Sequence, residues 1–230
     1  MQIKFLGTGG AFDAEYRNSA ALLEFRGKNI LIDCGFSVFA TLIEKSLIHR
    51  VDYILLTHLH NDHCGSLANL LLYKNIIEKS EKPVIIYPSE QFKMQIRQFL
   101  DIQVKDTDKY VEFLPLEQVE GINCIDTFGL HSEGFQSYAY IFEEEDSRIA
   151  YSGDLGKPEA LFEKLDKLPP MYTCVFHDIT FNPENTGHTY YKKLFPYLIN
   201  CEMFGYHCDP SLNPLDNPIR LVFYQKELLA

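Results

Sequence analysis

One stretch constrains this chain more than any other: Thr57-His58-Leu59-His60-Asn61-Asp62-His63, directly after the apolar run Val51-Asp52-Tyr53-Ile54-Leu55-Leu56. Four good metal donors fall within six residues. In extended backbone, side chains two apart point the same way, so His58 and His60 can grip one cation while Leu59 and Asn61 face elsewhere. Asp62 and His63 are then free for a second. Imidazole nitrogen with carboxylate oxygen, and no thiolate, suits a catalytic zinc or a similar divalent transition metal better than a closed structural site. A histidine-rich surface turn is the blander alternative, but four donors rarely gather at the end of a buried strand unless a metal needs them.

A metal site needs donors from more than one loop, and three isolated residues follow other apolar segments. His131 comes after Thr127-Phe128-Gly129-Leu130, Asp154 after Ile149-Ala150-Tyr151-Ser152-Gly153, and His207 after Glu202-Met203-Phe204-Gly205-Tyr206. Taken singly, each is the kind of residue that more often satisfies a local polar group. Taken jointly, they shift the balance toward a shared site.

The rest of the chain bounds what such a centre can serve. A length of 230 residues, 46% of them hydrophobic, suits one domain over 1–230 with a substantial core. No apolar stretch reaches membrane-spanning length, and the start, Met1-Gln2-Ile3-Lys4-Phe5-Leu6-Gly7, is too short an apolar run for a signal peptide. The expectation is a cytoplasmic protein without a membrane partner. Six cysteines form no CxxC pair and read as reduced, mostly core filler. A formal charge of -11 repels long polyanions, so a large nucleic acid is disfavoured more than a small anionic substrate.

Pattern and punctuation predict strands at 2–7, 20–25, 29–33, 51–56, 84–87, 111–114, 122–128, 137–142, 148–152, 173–177 and 202–206, those from 111 to 152 mostly antiparallel. Helices are expected at 37–48, about 67–79, 90–100, 159–168 and 189–199. The run Glu143-Glu144-Glu145-Asp146 reads as a solvated hairpin tip. Strand groups flanked by helices in each half imply an α/β (α+β) chain with two sheets packed together and helices outside.

The ordered set His58-Leu59-His60-Asn61-Asp62-His63, His131, Ser152-Gly153-Asp154 and His207 resembles the metallo-β-lactamase superfamily. So do Leu6-Gly7-Thr8-Gly9-Gly10 and Leu31-Ile32-Asp33-Cys34-Gly35, and the likeness runs over nearly the whole chain. The resemblance implies the metallo-β-lactamase fold, a four-layer αββα sandwich. It implies that His58, His60 and His131 hold one metal and Asp62, His63 and His207 a second, with Asp154 bridging. Two divalent ions follow, zinc first, with manganese or iron also suited to such donors. A homodimer is common in the families the chain is similar to, although no stretch marks an interface.

Phe176-His177-Asp178-Ile179-Thr180-Phe181, followed by Gly187-His188-Thr189, looks like the phosphodiesterase branch that includes RNase Z and the phosphonate-pathway cyclic phosphodiesterase. By that resemblance His188 is a catalytic histidine beside the metals and Asp178 the carboxylate that orients it. His177 and His49 read as structural or surface residues, and Asp33 as support for the fold. RNase Z enzymes that process tRNA carry a long arm between the equivalents of His131 and Asp154. These residues are only 23 apart here, which leaves no room for the arm and favours a compact substrate. The glycine in Cys64-Gly65-Ser66-Leu67 also falls one residue earlier than is usual in the family, a small change at a helix start.

The expected chemistry is hydrolysis of a small or cyclic nucleotide-like phosphodiester by a hydroxide shared between two metals about 4 Å apart. His188 would bind a phosphoryl oxygen or protonate the leaving alkoxide, and Asp62 would help position the hydroxide. A carbon-ester hydrolase of lactonase or thioesterase type is the rival on the same fold, since a hydroxide also attacks carbonyls. Gly187-His188-Thr189 separates the two, because the lactonase-type branch does not need that histidine. A non-catalytic, metal-retaining nucleotide-binding protein is the alternative from another class, and a β-lactam is the least favoured substrate. Tyr190, Tyr191, Phe181, Phe12 and Tyr16 are aromatic residues that could stack on a base.

Overall fold

The computed structural model describes residues 1–230. Six strands make the first sheet in chain order: β1 Gln2–Gly7, β2 Ala20–Phe25, β3 Lys28–Ile32, β4 Tyr53–Leu55, β5 Val84–Tyr87 and β6 Glu112–Pro115. The first two pairings are antiparallel hairpins, and β3 through β6 run parallel. The second sheet holds β7 Ile122–Asp126, β8 Tyr138–Glu144, β9 Ser147–Tyr151, β10 Tyr172–Asp178, β11 Glu202–Tyr206 and the short β12 Arg220–Leu221, again in chain order. There β7, β8 and β9 are antiparallel and the remaining pairs parallel.

Five α-helices accompany them: α1 Val38–Glu44, α2 Asn61–Cys64, α3 Leu67–Tyr73, α4 Glu90–Asp101 and α5 Glu159–Leu165. The inner faces of the two sheets meet in a core where the Phe5 ring lies 5.2 Å from Phe176, 5.5 Å from Tyr206 and 6.1 Å from Tyr151. Residues of α1, α3 and α4 join that same cluster through Leu42, Leu70 and Ile96, whereas Leu161 and Phe162 of α5 pack on Val175 and Ala150 in a second, smaller one. This is the αββα arrangement expected from the strand groups. The central parallel strands β4, Tyr53-Ile54-Leu55, and β5, Val84-Ile85-Ile86-Tyr87, are apolar on both faces, as buried strands must be.

Several local expectations need correction. Residues 189–199 form a 3₁₀ segment, Tyr191–Tyr197, with Pro196 inside it, whose ring would clash in an α-helix with the carbonyl four residues back. The helix at 37–48 stops at Glu44, and Ser46 takes a left-handed φ of 56° before a short 3₁₀ turn at Ile48–Arg50. Residues 67–79 begin as α3 but continue as a π-helical turn, Lys74–Glu78. Strand β6 belongs to the first sheet and runs parallel to β5, so the antiparallel group begins only at β7.

The acidic run is not uniformly solvated. Glu145 and Asp146 form the exposed hairpin tip, but Glu143 takes the guanidinium of buried Arg148 at 2.6 Å and Glu144 takes the amino terminus at 3.0 Å. All six cysteines are free thiols, and Cys34, Cys64, Cys174 and Cys208 are buried. No helix is long and apolar enough to cross a membrane.

Candidate metal centre

The donors sit where strands end. His58 and His60 follow β4, the first held in an isolated bridge to Ser137 and the second capping α2 in extended backbone. Asp62 and His63 then lie in the first turn of α2. Past the strands of the second sheet come His131 beyond β7, Asp154 after β9 and His207 after β11, the last with a left-handed φ of 62°. All seven residues converge.

They converge as two groups. His58 Nε2 lies 3.0 Å from His60 Nδ1, His131 Nε2 is 3.1 Å from the same atom, and Asp154 Oδ2 stands 3.8 Å and 3.6 Å from the His58 and His131 nitrogens. In the other group His63 Nε2 and His207 Nε2 lie 3.2 Å and 3.3 Å from Asp62 Oδ2, and 3.4 Å and 3.5 Å from Asp154 Oδ1. Tetrahedral coordination at the bond lengths of zinc to nitrogen and oxygen spaces its donors about 3.3 Å apart, so each group has the dimensions of one site. Asp154 gives one oxygen to each.

Hydrogen bonds fix the ring tautomers. Thr57 Oγ1 donates to Asp33 and so accepts from His58 Nδ1 at 3.0 Å; His63 Nδ1 donates to Asp33 Oδ2 at 2.8 Å; His131 Nδ1 donates to the Gly187 carbonyl at 2.7 Å. Each of these rings therefore turns a bare Nε2 lone pair inward, the arrangement in which histidines ligate. His63 Nε2 and Asp154 Oδ1 are buried without a hydrogen-bond partner. Orphaned atoms of this kind are costly to bury, and a cation would satisfy both at once. The donor set thus fits two divalent metals.

The electrostatics divide the donors. Burial pushes His58 and His60 below the ordinary imidazole range, which keeps them neutral for ligation. Burial alone would raise Asp154 and Asp62, but the facing histidines hold both carboxyls well below the usual range. Burial lowers His63, yet Asp154 and Asp33 overcome it and raise the imidazole well above its ordinary value, so a cation at Nε2 would have to displace that ring's second proton. The Cys34 and Cys64 thiols are pushed up to about 12 by burial, so neither offers a thiolate nearby.

Beside the donors, His188 Nδ1 stands 3.9 Å from Asp154 Oδ2 and 2.8 Å from Asp178 Oδ2. Asp178 is sealed from solvent, whereas the His188 side chain keeps 20% of its surface exposed at the mouth. Burial lowers His188, but the hydrogen bond and charge of Asp178 outweigh it and raise the imidazole to about 9. His177 is fully buried, its Nδ1 2.8 Å from the Asp178 carbonyl and 3.2 Å from its Oδ1, so it is structural and in no sense a surface residue. His49 is exposed and away from this group.

Some neighbours gave no signal in the sequence. Phe135 stacks on His60 with centroids 4.3 Å apart, and Thr57 links Asp33 to His58. Asp33 supports more than the fold, since it holds His63 in place. Of the aromatic residues proposed to stack on a base, Tyr191 is buried in the second core and packs on Phe181, Tyr16 packs on Phe223, and Phe12 is fully exposed.

The sequence profile of the Anti-Pycsar protein Apyc1 family matches residues 1–218. The chain belongs to that family. Its Apyc1 relative from Bacillus phage BSP38 is 29% identical over 203 residues, covering 78% of this chain and 77% of the phage protein. Ribonuclease Z of Bacillus mycoides (strain KBAB4) is 32% identical over 185 residues, which cover 72% of this chain but 58% of the ribonuclease. Among solved structures, the short form of human tRNase Z superposes with a TM-score of 0.68 at 19% identity, covering 92% of this chain and 94% of that one. The metallo-β-lactamase fold protein YhfI of Bacillus subtilis gives 0.69 at 16%, covering 90% and 85%. This Apyc1-family chain therefore has the metallo-β-lactamase fold, and it is a metal-dependent hydrolase.

Proposed function

We propose that the chain is a phosphodiesterase for a small or cyclic nucleotide-like phosphodiester, with His58, His60, His131 and Asp154 holding one divalent cation and Asp62, His63, His207 and Asp154 the other. Zinc suits these donors best, and manganese or iron fit the same chemistry. Bound there, the cations would supply a water of lowered pKa and neutralise charge on a phosphoryl group.

The observation that carries the reading is the Asp178–His188 pair, 2.8 Å apart at the lip of the donor group. An imidazole raised to about 9 is a proton donor at neutral pH. Its ring lies 4.9 Å from those of His131 and His207, where the Nε2 proton, the one Asp178 does not take, would hydrogen-bond a phosphoryl oxygen and then protonate the leaving alkoxide. Asp178 holds the ring and its charge; Asp62, facing His63 and His207, would orient the attacking water. A carbonyl ester, which leaves a single oxyanion, makes less use of such a cation.

A compact substrate is favoured because β8 and β9 fill the interval between His131 and Asp154 with a tight hairpin that turns at Glu145 and Asp146. The charge of -11 also disfavours a long polyanion. The test is to incubate metal-loaded protein with bis-p-nitrophenyl phosphate and a panel of cyclic nucleotides, beside lactones and thioesters. Turnover of a cyclic nucleotide well above that of His58→Ala is expected. Lactones turning over far faster, with activity indifferent to His188→Ala, would hand the site to the carbon-ester rival.

A further inference from the structure

The metal donors come from two separate sheets. His58, His60, Asp62 and His63 follow β4 of the first; His131, Asp154 and His207 follow β7, β9 and β11 of the second. Between the sheets lies an apolar interface of rings including Phe5, Tyr151, Phe176 and Tyr206. Apolar contact is non-directional, so even close packing registers the sheets less strictly than a directed bond does. Metal coordination tolerates errors of only about 0.2 Å. Something directional has to register the sheets at this end.

The hydrogen bonds that cross there include Tyr138 N to the Thr57 carbonyl at 2.8 Å, His207 N to the Thr8 carbonyl at 2.8 Å and the Tyr140 hydroxyl to the Leu56 carbonyl at 2.8 Å. The first two are backbone bonds that many sequences could make. The third depends on one side chain. Tyr140 lies on β8 and is fully buried, and Leu56 stands two residues before His58 at the start of the donor loop. Tyr151, on the neighbouring strand β9, provides the contrast: it is equally buried in the same core, but its hydroxyl has no partner. The core thus bears the cost of one unpartnered phenol at Tyr151, whereas the Tyr140 hydroxyl is directed at the carbonyl that opens the donor loop.

We propose that Tyr140 is a positioning residue for the metal centre, its hydroxyl fixing the height of the His58–His63 loop against the donors of the second sheet. The proposal rests on the reading of those donors as metal ligands. Its strongest effect falls on the group of His58, His60 and His131, because that group spans the two sheets closest to Leu56.

The test compares metal-free wild type, Tyr140→Phe and Tyr151→Phe as full chains. Zinc and cobalt are titrated against a chromophoric chelator, and the visible bands of the cobalt forms are recorded. Wild type and Tyr151→Phe are expected to take two cations alike. In Tyr140→Phe one cation binds about 10- to 100-fold more weakly, the loss that follows when a group supporting a ligand is removed, and the cobalt bands shift. Matching affinities and spectra in all three proteins would overturn the proposal while leaving the ligand assignment intact. Wild type that takes up no cation removes both. Should Tyr140→Phe be unfolded without metal, recovery of the fold on adding zinc supports the proposal, and failure to fold in saturating zinc assigns the hydroxyl to the fold alone and overturns it.

Discussion

Asp33 Oδ2 lies 2.8 Å from His63 Nδ1, and both side chains are sealed from solvent. The carboxylate sits at the end of β3 in a left-handed conformation with φ of 64°, where it also receives the Thr57 amide at 2.7 Å. One side chain thus ties the donor loop to the preceding strand and sets which His63 nitrogen faces inward. Asn tolerates the same backbone and keeps the shape but cannot carry the charge. Asp33→Asn is expected to remain folded and to lose about 10- to 100-fold in metal affinity, measured by metal titration beside circular dichroism.

His188 carries a pH prediction whose sign follows from Asp178. An imidazole raised to about 9 is charged through neutral pH, so the function of the charged form is present below that value and lost as pH rises through it. Bound cations nearby pull the value down, which places the alkaline limb of kcat at or below about 9. Asp178→Asn removes the main cause of the rise and should move that limb to lower pH by about one unit or more. A pH–rate profile with an unmoved limb in Asp178→Asn would show that the pair does not set the protonation of His188.

Much of this donor cluster was legible because candidate ligands are particular residue types, and those that follow strands stand out. His58 and His60 meet as an i, i+2 pair in extended backbone, and His131, Asp154 and His207 each follow a strand or its connecting turn. Supporting contacts obey no such spacing. Phe135 reaches His60 across 75 residues of chain, and the Tyr140 hydroxyl bonds Leu56 across 84, so only the folded topology brings them together. The 191–197 segment misled for another reason: its apolar residues suit an α-helix and a 3₁₀ turn alike, and Pro196 decides between them.

The acidic run gives a test of burial against charge. Glu143 accepts two bonds from Arg148, whose side chain is only 3% exposed, while Glu145 lies on the open tip. Removing the charge from Glu143 leaves a buried guanidinium poorly compensated. Glu143→Gln is expected to cost about 1–3 kcal/mol in denaturant unfolding and Glu145→Gln less than about 0.5 kcal/mol. Equal effects would mean that the whole run is solvated after all.

Metal removal has a thermodynamic consequence independent of activity. A ligand present at a hundredfold excess over its dissociation constant stabilises the folded state by about 2.7 kcal/mol. For a chain of this size that is roughly 5–10 °C per cation in the unfolding midpoint. Chelation should therefore lower the midpoint, and zinc should restore it. In His58→Ala, which retains the complete Asp62, His63, His207 and Asp154 group, about half of that shift should survive. Identical midpoints with and without chelator would argue against bound cations.

Gly153 marks a close approach between the two halves of the site, one residue before the carboxylate of Asp154. Its φ of 59° is left-handed, and a Cβ there would stand 2.9 Å from both Thr57 Cβ and the Tyr138 carbonyl oxygen. Neither neighbour can yield cheaply: Tyr138 donates its amide to Thr57 O at 2.8 Å, and the Thr57 hydroxyl is committed to Asp33 and His58. An alanine must then strain its own backbone or push the β9 turn outward, and the turn carries Asp154 with it. Gly153→Ala is expected to cost about 2–4 kcal/mol, combining left-handed strain with overpacking. Because Asp154 faces both groups, the variant should lose affinity for both cations alike, unlike Asp33→Asn, whose loss falls more heavily on the His63 group it contacts directly than on His58, which it reaches through Thr57. Cobalt titrations of the two variants separate these patterns, and an unaltered affinity in Gly153→Ala would show that the turn is free to relax without moving its carboxylate.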